Sequence, residues 1–418
     1  MYGGVGFNGA VISGILLIVS ILILFLLALN WSVRKSTGKV ENATNCNIRF
    51  YDFAFDDIAD SILKVKAKLI NKHSAQFEGM LRDDDRSAFE KVESKLTPQG
   101  YGCILEECEN GLVRLTIFRP KRIGAKDEMT PSIWVHGFLL FATIVTTTWA
   151  GAAHQGVNLV KEPDKVWMAL LYSVPLMSIL LAHELGHYFA AKRHGIKVTL
   201  PYFIPVPFAL GTFGAFIKMR SIVRNRIALF DVAIAGPLAG LVLAIPALLL
   251  GLRHSSIVPF PEQSGGLDVG SSILIALLSK LSIGDSLELG SQVVLNPIAF
   301  SGWLGLLLTA LNLLPIGQLD GGHIAHSIFG PVKAHYFSLA SIVLLLILAF
   351  FVWPGLLFFA ILVIFVAGTR DHPVLDDLSS ISRGRKWMGY ASFALLLTIL
   401  MPIPHFLYSS LGLNCPYL

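Results

Sequence analysis

Apolar stretches of about 20 residues recur along this chain, each long enough to cross a hydrocarbon core of about 30 Å as a helix. Lipid offers no partners to backbone N–H and C=O groups, so such stretches must satisfy them internally. Charged residues are 15% of the 418-residue sequence and hydrophobic ones 54%, with a mean hydropathy of +0.65. That balance excludes an ordinary soluble globular protein and predicts an α-helical polytopic membrane protein. The net charge of +5 says little alone, because the position of each charge decides its meaning. No nucleic-acid-binding motif is present.

The pattern predicts about eight spans, at residues 10–30, 131–150, 167–191, 227–250, 297–315, 334–351, 356–369 and 387–406. The first lacks the basic start of a secretory signal, and its apolar run exceeds the ~7–15 residues of a signal core. It reads as a retained anchor, with a cleaved signal as the alternative. The fourth contains Gly236-Pro237, where a kink is expected. The loop 251–294 is rich in Gly and Ser, with one short amphipathic piece at 273–281.

Residues 45–126 change character, becoming charged and periodic, and read as a small soluble α+β domain. Phe50 to Phe55 alternates like a strand and Ile58 to Ile70 is spaced like a helix. Arg86 to Leu96 reads as an amphipathic helix, and Tyr101 to Glu107 and Leu112 to Phe118 as a hairpin around Asn110-Gly111. The charge runs, such as Asp83-Asp84-Asp85, read as solvated faces. The sequon Asn42-Ala43-Thr44 would matter only on a lumenal side. Cys46, Cys103, Cys108 and Cys415 lack a paired metal spacing; Cys103 and Cys108 could bridge, but free thiols are the preferred reading. Four regions follow: an anchor and link (1–44), the soluble domain (45–126), a core (127–330) and C-terminal spans (331–418).

Inside the third span stands His183-Glu184-Leu185-Gly186-His187. Positions i and i+4 share a helix face, so both imidazoles can address one ion, which is zinc-ligand spacing. Glu184 then sits beside the metal, placed to take a proton from a bound water as general base. Histidines meeting lipid headgroups are the bland alternative, but ionisable groups at membrane depth are costly and usually face a functional cavity. His194 reads as a headgroup-level residue.

Residues 199–220 are apolar yet broken by Pro201, Pro205, Pro207, Gly211 and Gly214, which no regular helix accommodates. They read as a re-entrant extended hairpin lining the site, whose edge could pair with an extended substrate; a plain interfacial loop is the alternative. Asp320, after the fifth span, is the expected third ligand, since catalytic zinc usually takes three protein ligands. An ordinary Asp-Gly turn is the alternative, and His323 and His326 are weaker ligand candidates. Asn312, whose amide could hold a substrate carbonyl or cap a broken helix, joins Gly211, Phe213 and Gly214 as a candidate substrate-binding residue.

With the uncharged N-terminus outside, the clusters Lys192-Arg193-Lys197, Lys218 to Arg226, Lys333 and Arg383 to Lys386 all fall on the inner side. The third and fifth spans then run the same way, bringing the histidine motif and Asp320 to one depth.

Together with Asn312-Leu313-Leu314-Pro315, Leu319-Asp320-Gly321 and the glycine-rich stretch 211–215, the histidine motif resembles the site-2 protease family of intramembrane zinc metalloproteases. The resemblance covers roughly residues 165–330. It implies that His183, His187 and Asp320 bind Zn2+ and that Glu184 activates water. It further implies that the substrates are membrane-anchored proteins cut within or near the lipid bilayer, as in regulated intramembrane proteolysis. The loop 251–294 is too short for an inserted PDZ-type domain. The extra N-terminal domain and spans resemble the long archaeal, cyanobacterial and plastid branch, with the site toward the cytoplasmic or stromal side. A metal-ion transporter and an inactive client-binding scaffold are the rival readings; oligomeric state is left open.

Overall fold

The computed structural model describes residues 54–71, 73–82, 87–119, 133–207, 209–259, 272–284, 291–351 and 355–401. The anchor span at 10–30, the sequon, Cys46 and Cys415 lie outside the described residues. Everything below belongs to one compact unit, 52–418.

The described chain opens with α1 (Ala54–Ile62), β1 (Leu63–Ile70), β2 (Ser74–Leu81), α2 (Ala88–Leu96), β3 (Gly102–Glu107) and β4 (Val113–Phe118). They form an antiparallel sheet of order β1-β2-β4-β3. Phe55, Phe77, Leu96, Leu105 and Leu115 fill the core of this sheet module. Two local expectations are corrected here. Ala54 and Phe55, the described end of the expected strand, instead open a helix that continues through 58–62, where a helix was expected, because Phe55, Ile58, Ala59 and Ile62 share one buried helical face. Residues 63–70 are strand, not helix: Lys64, Lys66 and Lys68 alternate along an edge strand, a usual guard against sheet-to-sheet association. β2 was not foreseen, because its inward residues include only Ala75, Phe77 and Gly79.

The apolar part comprises α3 (Ile133–His154), α4 (Val166–Arg193), β5 (Tyr202–Pro205), β6 (Thr212–Phe216) and α5 (Arg226–Arg253). Next come β7 (Ser256–Pro259), α6 (Ile273–Ile283), β8 (Ser291–Val294) and α7 (Pro297–Asn312). The chain ends in α8 (Asp320–Phe329), α9 (Pro331–Phe351), α10 (Gly355–Val366) and α11 (Arg383–Leu400). Four described helices are long and apolar enough to cross a membrane: Ile133–His154, Pro163–Arg193, Arg226–Arg253 and Pro331–Phe350. The expected fifth span is shorter than its apolar run: α7 stops at Asn312 because 313–319 folds into a tight turn, leaving 16 residues. At a rise of about 1.5 Å each these reach about 24 Å. Trp134 and Val242, 81% and 69% exposed, carry the outward apolar surface that a bilayer would cover.

Helix α5 is the hub of the bundle, and helical geometry runs unbroken through its Pro237 and Pro246. Added Cβ atoms on Gly186 of α4, Gly251 of α5 or Gly302 of α7 would strike, respectively, Ala235 of α5, Ala299 of α7 and Leu248 of α5. Small residues thus let backbones approach where lipid supplies no hydrophobic drive for helix association.

Neither Cys103 nor Cys108 is in a disulfide. Burial, with the charges of Glu93 and Asp376 nearby, pushes the Cys103 thiol up to about 12, and burial also raises Cys108. In a Cys46→Ser, Cys415→Ser background, folded protein should therefore resist alkylation at pH 8 and label fully only after denaturation. Rapid labelling of Cys103 in the folded protein, followed by mass spectrometry, would contradict this placement.

Candidate metal centre

His183 and His187 lie one turn apart on α4, 5% and 7% exposed, with their Nε2 atoms 3.1 Å apart. Asp320 opens α8 and sets Oδ2 3.3 Å from each Nε2. Its place at the helix start suits a carboxylate, since the first turn of a helix carries partial positive charge. The three atoms form a triangle that fits one ion. Tetrahedral zinc with ligands at about 2.0–2.2 Å keeps them about 3.3 Å apart. Two imidazoles and one carboxylate are also a donor set found at catalytic zinc sites, where a fourth position is left for water.

The backbone of α5 shapes this pocket. His187 Nδ1 is 2.8 Å from the Val232 carbonyl, which can only accept, so Nδ1 carries the hydrogen and Nε2 presents its lone pair to the triangle. One turn on, Gly236 lies under the same ring, where any Cβ would collide with His187. Val232 has no signal in the sequence, and Gly236 only that of a Gly-Pro pair in an apolar helix.

The turn from Asn312 to Asp320 is equally tight. A Cβ on Gly321 would strike the carbonyl of Leu313, and one on Gly317 the carbonyl of Ala367. The Asp-Gly-Gly sequence therefore serves not as a surface turn but as a helix start pressed against its own lead-in.

Glu184, 6% exposed, faces the backbone of Ile217, just past β6. Asn312, the last residue of α7, brings Nδ2 within 3.5 Å of His183 Nε2. Strands β5 and β6 pair antiparallel, Tyr202 opposite Phe216 and Pro205 opposite Thr212. Phe213 projects from β6, 56% exposed, while Gly214 is buried with φ of 98°. Gly211 packs on α3, accepting from Thr146 Oγ1 at 2.7 Å, and its missing Cβ makes room for the backbone of Thr147. It thus seats the hairpin. The weaker ligand candidates are directed elsewhere: His323 to Asp371 and His326 to Asp371 and Asp377. His194 pairs with Asp231 at 3.0 Å.

Residues 171–353 match the model of peptidase family M50. Relatives include "Probable zinc metalloprotease EGY1, chloroplastic" of Arabidopsis thaliana, 33% identical over 62% of this chain and 48% of its own length. The Arabidopsis thaliana protein "Probable zinc metalloprotease EGY2, chloroplastic" is 35% identical over 79% of this chain and 60% of its own. The Oryza sativa subsp. indica protein of the same printed name is 35% identical over 59% and 44%. The chain thus spans about half the length of these relatives. No solved structure matches it. The M50 region contains the histidine motif, the hairpin and Asp320, and it ends within the C-terminal helices.

Gly236→Ala in this region should displace the His187 ring rather than part the helices, because the colliding group is a side-chain end. Purified variant is expected to keep its helical circular dichroism and lose bound zinc by elemental analysis. Full zinc content would refute the contact.

Proposed function

We propose that the protein is an intramembrane zinc metalloprotease, hydrolysing peptide bonds of membrane-anchored protein substrates. The observation that carries this reading is the buried triangle of His183, His187 and Asp320, with Glu184 beside it on an apolar helix. In the proposed mechanism those three residues hold the zinc, which when bound lowers the pKa of water toward about 7 and polarises a carbonyl. Glu184 takes the proton of the attacking water and delivers it to the leaving amine. A substrate helix must unwind before its carbonyls are open to attack; the β6 edge and Phe213 receive the extended segment, with Gly214 leaving space beside it. The Asn312 amide donates to a substrate carbonyl.

The regions 1–44, 45–126, 127–330 and 331–418 serve as anchor, soluble domain, protease core and C-terminal spans. An eight-span arrangement would have the shorter α7, α10 and α11 cross with local thinning of the bilayer. The inner-side placement gains support from one cluster. Arg385 at the start of α11 holds Asp231 near the start of α5 at 2.7 and 2.9 Å, and His194 at the end of α4 joins them. Three basic helix ends therefore share one level, the cytoplasmic side by the positive-inside rule, or the stromal side in a plastid.

Glu184→Gln should retain zinc and lose cleavage of a membrane-anchored reporter by roughly 10²-fold or more, the usual contribution of a general base. Cleavage at the wild-type rate would remove Glu184 from the mechanism.

A further inference from the structure

Behind the triangle lies a second polar cluster that neither the ligands nor the base account for. His326, six residues past Asp320 on α8, has Nδ1 2.8 Å from Asp371 Oδ2 and Nε2 3.0 Å from Asp377 Oδ1. Both partners are carboxylates, so both ring nitrogens carry hydrogens and the ring is an imidazolium. His323 Nδ1 sits 2.9 Å from the other oxygen of Asp371, an ion-pair contact too poorly aligned to count as a hydrogen bond. The side chains of His326, Asp371 and Asp377 are 2%, 6% and 2% exposed. Burial alone would lower His326, yet the two carboxylates hold it up at about 9. Burial alone would raise Asp371, yet the two histidines hold its carboxyl well below the usual range.

The segment bearing these carboxylates is itself braced from both sides. Leu375 and Asp376 donate backbone N–H groups to Val223 and Arg224, at 3.0 and 2.8 Å. On the other side Leu105 of β3 donates to Leu375 at 2.8 Å, and Asp377 donates to Leu105 at 2.9 Å. Residues 375–377 thus lie as a strand between the edge of the sheet module and the lead-in to α5. Arg226 closes the joint, its Nε on Asp377 at 2.8 Å and an Nη on Glu107 at 2.7 Å.

Helix α8 needs such a brace. It has ten residues, and Gly321 and Gly322 follow its first, so its intrinsic stability is low. Yet it must hold one carboxylate oxygen to within a fraction of an ångström. We propose that Asp371 is a positioning residue for the metal centre: by gripping His326 and His323 it fixes α8, and with it Asp320, from a segment braced by the sheet module. This rests on the ligand reading of His183, His187 and Asp320.

The test uses the full chain in detergent, comparing wild type with Asp371→Asn, Asp371→Glu and His326→Gln. The readouts are the half-time of zinc loss to excess chelator, helical circular dichroism, and kcat and KM on the reporter. Asp371→Asn and His326→Gln should lose zinc about tenfold faster, the lower end for groups that orient metal ligands, with helicity retained, kcat reduced and KM unchanged. Asp371→Glu should recover part of the retention. Arg114→Gln, which breaks a pair with Glu78 inside the sheet module, controls for general destabilisation and should leave zinc loss unchanged. Wild-type half-times in both Asp371→Asn and His326→Gln overturn the proposal. If Asp371→Asn does not accumulate, His326→Gln decides by the same criterion. Wild type without zinc, or His183→Ala retaining it, would instead overturn the underlying ligand reading.

Discussion

The contact on which the site depends is the approach of α4 to α5. In lipid, two apolar helices gain nothing from escaping water, so they associate through packing and hydrogen bonds. Gly186 supplies the packing by letting the backbone of α5 come in at Ala235. The hydrogen bond from His187 Nδ1 to Val232 supplies the second term. Its direction fixes the tautomer, so the same contact that joins the helices also aims a ligand nitrogen. Gly186 and Gly236 therefore belong to the proposed metal centre although neither can ligate anything.

Asp320, the proposed third ligand, arrives by a different device. A ligand from α4 alone would need a third residue on an already crowded face, and α7 reaches the triangle only with the amide of its last residue, Asn312. The chain instead reverses through 313–319 and starts a new helix at Asp320, with Gly321 lying on the carbonyl of Leu313. The cost is a weak helix carrying a largely buried carboxylate. A charge there is tolerable only when neighbouring cationic groups or a metal compensate it, which ties occupancy of the triangle to the stability of that corner.

How much of this was legible in the sequence varied with the range of the interaction. The spacing of His183 and His187 is a local property of a helix, and α4 places both nitrogens together. Asp320 depended on two spans running in the same direction, and its oxygen lies 3.3 Å from each imidazole. Leu63 to Ile70 misled because Val65 and Leu69 also fit a helical spacing; pairing with β2, invisible locally, decided for strand. The limits of α7 were hidden because Leu313-Leu314-Pro315 is as apolar as the helix before it. Asp371 and Asp377 had no signal at all, since only the folding of the chain brings residues 371–377 to His326.

Under the proposed function, the depth of the triangle bears on where a substrate would be cut. His187 is six residues before Arg193, the last residue of α4, which at about 1.5 Å per residue sets it about 9 Å from the helix end. That end carries Lys192 and Arg193, whose long side chains mark an aqueous boundary. The triangle therefore lies close to that boundary along α4. A substrate helix entering from the bilayer would meet the triangle near its own inner end, where intrahelical hydrogen bonds already fray. Under the proposed function, cleavage in the third of a substrate span nearest that basic boundary is the geometry with the least unwinding.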